Sequence, residues 1–346
     1  MNSFSDISPP ANRPKDATPP LPLLVTGLAG VAGYNAFQFL RARFGSQVLA
    51  IRRTDYWPLS GPGIIPCNMD DRDAMRRLFD EHQFAGVLHC EGTCKLKSCE
   101  LDPVMARRIN VRSMEVLLET IAASDVRLVH LSIDLVFSGT RGGNHLEDDA
   151  TDPVTIYGKT MVEAEELIAR ERPSAAMLRI SLPMGVSFNG HAGAIDWIQS
   201  RFKKQKPATL YFDERRTPTY TDCLSPLLLD VLARRELTGL YHAGGPLSLS
   251  LYEIAQVVNR VGGYRPEDLM GCNRIEAGPL PPRAGDVSMN SSRLATAIGY
   301  EPFDPWPYHP EFVPTHREWH AERNGEQGSP ELLAEILYRN PGRRLI

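Results

Sequence analysis

The sequence predicts an α/β protein: a doubly wound parallel sheet followed by a smaller region that closes over a substrate. Three observations carry that expectation. Strand-like and helix-like patterns alternate up to residue 180. The first strand runs straight into a glycine-rich turn, Gly27-Leu28-Ala29-Gly30-Val31-Ala32-Gly33, and a helical pattern opens directly after it. Such alternation implies right-handed crossovers with helices on both faces of the sheet.

Leu23, Leu24 and Val25 form a short apolar run suited to a buried first strand, and Ala36, Phe37 and Leu40 then recur at helical spacing. Val48 to Ile51 reads as the second strand, Gly63 to Pro66 as the third and Gly86 to Cys90 as the fourth, with helices over Asp71 to His82 and Asp102 to Ala123. Val126 to Leu131 and Ala175 to Ile180 supply the fifth and sixth strands. Beyond Pro183 the pattern loosens into short strands near Leu210 to Phe212 and Gly239 to His242, with helices at Asp222 to Arg234 and Leu251 to Val261. An extension opens with Trp306-Pro307-Tyr308-His309-Pro310 and ends in a short helix, with Ser329 as its cap, Pro330 at its first position and Asn340-Pro341-Gly342 as its stop. The apolar face of that helix (Leu332, Leu333, Ile336, Leu337) must bury, either on the body or on a partner subunit. The expected organisation is therefore a disordered tail over 1–20, a dinucleotide-binding domain over 21–182, a substrate-binding region over 183–305 and a C-terminal extension over 306–346.

A net charge of −4 over 346 residues gives no global attraction to nucleic acid or anionic membrane. No apolar stretch approaches the roughly 20 residues of a membrane helix. The Pro- and Ser-rich start lacks the apolar core of a secretory signal, so a cytoplasmic location is expected. Six cysteines stand at positions 67, 90, 94, 99, 223 and 272. His89, Cys90, Cys94 and Cys99 lie close in sequence but lack zinc-ligand spacing, and reduced thiols with no metal are the simpler expectation.

The glycine turn carries the chemistry. Gly27 permits a tight turn, Gly30 lets backbone approach a pyrophosphate at the amides of Val31, Ala32 and Gly33, and Gly33 lets helix pack close to strand. This is the Rossmann fingerprint of a bound dinucleotide. The second strand ends in Arg52-Arg53 rather than in an acid. Guanidinium groups suit a 2′-phosphate, so NADP is expected, with NAD the alternative. Asn68 is placed for adenine, and Cys90 closes the fourth strand beside the turn.

The glycine segment, Leu131-Ser132-Ile133-Asp134-Leu135-Val136-Phe137-Ser138-Gly139 and Tyr157-Gly158-Lys159-Thr160-Met161 together resemble the extended short-chain dehydrogenases/reductases. The likeness is nearest to the group of dTDP-4-dehydrorhamnose reductase and the regulatory subunit of methionine adenosyltransferase. Further matches are Glu147-Asp148-Asp149, Leu178-Arg179-Ile180-Ser181, Arg216 to Thr221, Gly239-Leu240-Tyr241-His242 and Pro282-Arg283. The resemblance implies hydride transfer from NAD(P)H to a 4-keto sugar nucleotide. It makes Tyr157 the proton donor, Arg216 and Arg283 substrate contacts, and Asn110 a support for the active-site helix; Tyr157 and Cys90 are also expected to contact the coenzyme, and Glu91, where this chain departs from the family, is a further candidate substrate contact. It leaves a homodimer open.

The same resemblance exposes two departures. The family's lysine, four residues after the tyrosine, is Met161 here, and its strand hydroxyl is Ile133. Ser132, one position away, should face the other side of the sheet. An ammonium about 4–5 Å from the phenol is worth roughly 3–4 kcal/mol at an effective dielectric of about 20. Without it, Tyr157 is expected to titrate near the ordinary value of about 10. Glu91 or Lys97 could supply a replacement group, although Lys95 and Lys97 read as a solvated loop. Three readings follow: an NADP(H)-dependent reductase, a catalytically degenerate cofactor-binding regulatory protein, or an epimerase or dehydratase on the same scaffold.

Overall fold

The computed structural model describes residues 17–55, 58–279, 281–323 and 328–339. The expected tail up to residue 16 and the Asn340-Pro341-Gly342 stop lie outside the described residues. Ahead of the first strand Pro19 is buried and Ala17 packs on the core, so the ordered body begins within the stretch read as tail.

Seven strands form one parallel sheet: β1 Leu23–Val25, β2 Val48–Arg52, β3 Ile64–Pro66, β4 Gly86–His89, β5 Arg127–Ile133, β6 Ala176–Ile180 and β7 Gly239–Ala243. Their order is β7-β6-β5-β4-β1-β2-β3, so the chain winds outward from β1 in both directions, and the doubly wound expectation holds. The sequence pattern places β7 in the looser later region. It instead pairs with β6 along its whole length, Gly239 opposite Ala176 and Ala243 opposite Ile180.

Helices α1 (Val31–Phe44) and α8 (Thr221–Ala233) pack together on one face of the sheet. On the other lie α2 (Arg72–His82), α5 (Ser113–Ile121) and α6 (Ile156–Glu171). Short helices α3 (Leu96–Leu101) and α4 (Pro103–Arg107) precede α5. The helix expected over Asp102 to Ala123 starts with Asp102 accepting the Met105 amide at 2.9 Å, but a π turn over Arg108–Arg112 interrupts it. That turn carries Asn110. The chain beyond β6 adds α7 (Ala194–Lys203), α9 (Leu251–Val261) and α10 (Ser292–Ile298), with short strand pairs between them.

The C-terminal helix α11 (Pro330–Leu333) continues into a π turn over Ala334–Tyr338 and docks on the body rather than standing free. Ile336 and Leu337 are buried in the core that α8 and α9 share. Tyr220 Oη donates to the Ile336 carbonyl at 2.6 Å and accepts from the Tyr308 amide at 3.0 Å, while Trp306 Nε1 donates to the Leu337 carbonyl at 3.1 Å. Tyr220→Phe strands both buried partners, so we expect a loss of about 2 kcal/mol in urea unfolding. An unchanged midpoint would show that these bonds do not hold the extension.

Candidate functional site

Gly27 has φ of +70°, and a Cβ there would come under 3.0 Å from the Cys90 carbonyl oxygen. Only glycine fits where β1 turns against β4. A Cβ on Gly33 would likewise come under 3.0 Å from the Gly27 carbonyl oxygen, which forces α1 hard against the turn. Thr26 Oγ1 locks the corner by accepting the amides of Cys90 at 3.1 Å and Glu91 at 3.2 Å. Gly30 caps α1 without a side-chain bond, and the first turn holds no acid. The amides of Val31, Ala32 and Gly33 thus lack intrahelical partners and sit at the positive end of a 14-residue helix. A pyrophosphate fits this cradle.

The neighbouring strand ends are already partly engaged. Arg52 Nη1 turns back to the carbonyls of Arg53 at 2.8 Å and Thr54 at 3.2 Å. Arg53 is within ion-pair reach of Asp55 at 3.6 Å and Asp70 at 3.7 Å. Asn68 Oδ1 accepts the Thr54 amide at 3.0 Å. Arg52 is thus held by loop carbonyls, and Arg53 faces two carboxylates.

Tyr157 sits in the first turn of α6, whose cap Thr155 accepts the Gly158 amide at 3.0 Å. Gly158 presses on β5's exit: a Cβ there would come under 3.0 Å from the Leu135 carbonyl oxygen. Met161, only 3 % exposed, packs with Tyr157, Leu135, Val136, Phe137 and Cys99, and Ile133 borders the same cluster. Ser132 points away, donating to buried Glu165. Asn110 accepts the Thr93 amide and donates to Thr160 Oγ1, both at 2.8 Å, so the π turn braces α6. Burial pushes the Tyr157 phenol well above its ordinary range, with Cys94 and Asp134 adding in the same direction. The expectation of an ordinary phenol is corrected: desolvation acts on top of the missing cation. Lys95 and Lys97 are exposed.

A family model described as the RmlD substrate binding domain matches residues 21–309. The chain belongs to this family. It is 25% identical over 283 residues to "Methionine adenosyltransferase 2 subunit beta" of Danio rerio, covering 80% of this chain and 85% of that protein. It is 26% identical over 288 residues to the dTDP-4-dehydrorhamnose reductase of Mycolicibacterium smegmatis, covering 82% of each. Among solved structures, the dTDP-4-dehydrorhamnose reductase of Bacillus anthracis in complex with NADP matches with a TM-score of 0.68 at 18% identity, covering 82% of this chain and 95% of that one. That likeness establishes the fold.

Within this family fold the two arginines expected at the substrate lie side by side on one carboxylate. Arg216 is 4 % exposed, and its Nε donates to Asp134 Oδ2 at 2.6 Å, with a second bond from Nη2 to Oδ1. Ser181 Oγ donates to the same carboxylate. Glu214 approaches Arg216 at 3.7 Å and Arg283 at 3.8 Å, and burial raises its carboxyl against the pull of both. Arg283, more open, stacks over the Tyr211 ring at 4.9 Å and faces an open cleft with Asp213, Asn273 and Arg274. Arg216 is thus committed to Asp134, and Arg283 is the one with a free approach. No role for Asp134, Glu214 or Ser181 was legible in the sequence. Asp134 and Arg216 are 82 residues apart, and no local spacing marks the pair.

A second polar layer runs through the sheet. Arg179 forks onto Glu165 at 2.9 and 2.7 Å, and His89 and His130 share an Nδ1 contact of 2.9 Å between β4 and β5. Burial lowers His89 to about 4, so this pair is neutral at physiological pH and one ring donates to the other. Among the described residues no three His, Cys, Asp or Glu side chains converge as a metal site.

Proposed function

We propose that the chain binds a nicotinamide dinucleotide, NADPH ahead of NADH, and reduces the carbonyl of a sugar nucleotide with Tyr157 as proton donor. The observation that carries this reading is the glycine cradle, with three unpartnered amides at an acid-free helix start beside an arginine-bearing strand end. When bound, the reduced coenzyme supplies the hydride. The chain's residues do the rest. Val31, Ala32 and Gly33 hold the pyrophosphate through backbone N–H groups, Arg53 meets the 2′-phosphate and Asn68 the adenine. Arg283 faces the substrate's charged half, and Glu91 lines the coenzyme side. Arg216, through Asp134, keeps the exit of β5 in place and acts as a positioning residue. Tyr157 stays protonated because it is buried. A neutral phenol can give a proton to a carbonyl oxygen but cannot take one from an alcohol, so reduction is the favoured direction.

A second reading has its own support. Met161 and Ile133 place apolar groups where the family's chemistry needs a cation and a hydroxyl. That favours a cofactor-binding subunit without turnover, and one relative is named as a subunit.

NADPH oxidation against a panel of 4-keto sugar nucleotides separates the two. The reductase reading expects turnover that falls about a hundredfold in Tyr157→Phe and rises in Met161→Lys. A silent parent that still binds NADPH, with activity appearing only in Met161→Lys combined with Ile133→Thr, gives the case to the subunit reading. Arg52→Ala with Arg53→Ala should weaken NADPH far more than NADH, and equal weakening would remove the 2′-phosphate role.

A further inference from the structure

Where β2 and β3 end, Arg53 Nη1 faces Asp70 Oδ1 as an ion pair at 3.7 Å, and just after β4 the Oε1 of Glu91 is buried with no hydrogen-bond partner among the described residues. Buried polar groups are nearly always satisfied, and one left bare costs about 1–3 kcal/mol. The bare Glu91 oxygen marks a place that a polar group from outside completes. Glu91 is 9 % exposed, and its amide is tied to Thr26, so its backbone is held next to the Gly27 turn.

The charges around it nearly cancel. Arg53 and Asp55 follow β2, Asp70 follows β3, and Arg108 of the π turn reaches Asp70 at 3.5 Å. The buried Cys67 thiol lies near Asp71 and Glu91. Two guanidinium groups are thereby matched by two aspartates, and Glu91 tips the balance. The end of β2 is where folds of this kind read the adenosine ribose.

We propose that Glu91 sets which dinucleotide the site accepts: its ionised carboxylate opposes a 2′-phosphate beside Arg53, and its neutral form admits one. The inference rests on the dinucleotide reading above. Burial pushes the Glu91 carboxyl up to about 7, with Arg53 pulling it down and Asp70 and Asp55 pushing it further up. Protonation of this one group therefore changes the local charge within the physiological range. NADPH binding should draw a proton onto Glu91, whereas NADH, with a ribose hydroxyl at that position, should not.

The test is calorimetric titration of the full chain with NADPH and with NADH at about pH 6.5 and about pH 8.5, where a 2′-phosphate with a second pKa near 6 stays mostly dianionic. The preference for NADPH should fall at least about fivefold across that range, as expected for a charge placed near a dianion. The isosteric Glu91→Gln should hold the low-pH preference throughout and abolish proton uptake, read from the dependence of the heat on buffer ionisation. If both coenzymes bind but the preference is independent of pH, or shifts equally in Glu91→Gln, Glu91 is not the determinant and the dinucleotide reading stands. If neither coenzyme binds at either pH, both fall together.

Discussion

Arg216→Ala should lower the stability of the folded chain by about 3–5 kcal/mol, the cost of leaving a buried charge without its partner. Asp134 is fully buried and receives two bonds from the Arg216 guanidinium and one from Ser181. Ser181 Oγ also accepts the Thr217 amide at 3.2 Å, so the same knot ties β6's exit to the strand that carries Arg216. Removing the guanidinium leaves Asp134 buried and unpaired. Urea unfolding at about pH 7 should show the deficit. Asp134→Leu with Arg216→Met should recover much of the loss, because an apolar pair of similar size needs no compensation. A deficit below about 1 kcal/mol in Arg216→Ala, the scale of an exposed pair, would show that the pair does not hold this end of the sheet.

Gly27→Ala is the second large effect. The substitution meets two obstacles at once: a left-handed φ of +70° and a methyl carbon under 3.0 Å from the Cys90 carbonyl oxygen. Gly299 isolates the first obstacle, since it is left-handed with φ of +84° and has nothing within 4 Å of its would-be Cβ. Gly299→Ala should therefore cost about 1–2 kcal/mol, the left-handed penalty alone. Gly27→Ala should cost about 3–4 kcal/mol, because backbone of β4 must move and overpacking adds its own penalty. The movement also tilts the amides of Val31, Ala32 and Gly33, so dinucleotide binding should be lost. Gly30→Ala completes the set. Its Cβ would meet only the Gly27 carbonyl oxygen, at 3.4 Å, so stability should hold while binding weakens. Thermal midpoints and NADPH titrations on the three variants check the ranking. Equal midpoints for the Gly27 and Gly299 variants would mean that the close approach to Cys90 is not limiting.

Much of the architecture was legible residue by residue. The glycine spacing, the strand runs and the cap at Ser329, whose Oγ accepts the Leu332 amide at 3.0 Å, are local signals, each set by backbone sterics or by a side chain reaching three residues on. Met161 and Ile133 were legible through the family resemblance, which marks the two positions as those of its lysine and its strand hydroxyl. Other features had no local signature. Gly239–Ala243 reads as a minor strand, yet it completes the sheet because α8 carries the chain back to the free edge of β6. Arg52 and Arg53 look equivalent in sequence, but loop carbonyls take one and leave the other facing carboxylates.

Sequence alone was enough to place a parallel sheet, a phosphate-sized cradle at its first turn and a tyrosine stripped of its usual partners. It did not reveal that Tyr157 would be harder to ionise than a free phenol, that Arg216 would be bound to Asp134, or that Glu91 would be left bare beside Arg53. The division has a physical origin. Turns and helices depend on groups a few bonds apart. Desolvation and charge pairing depend on every atom that folding brings within a few ångströms, however distant along the chain.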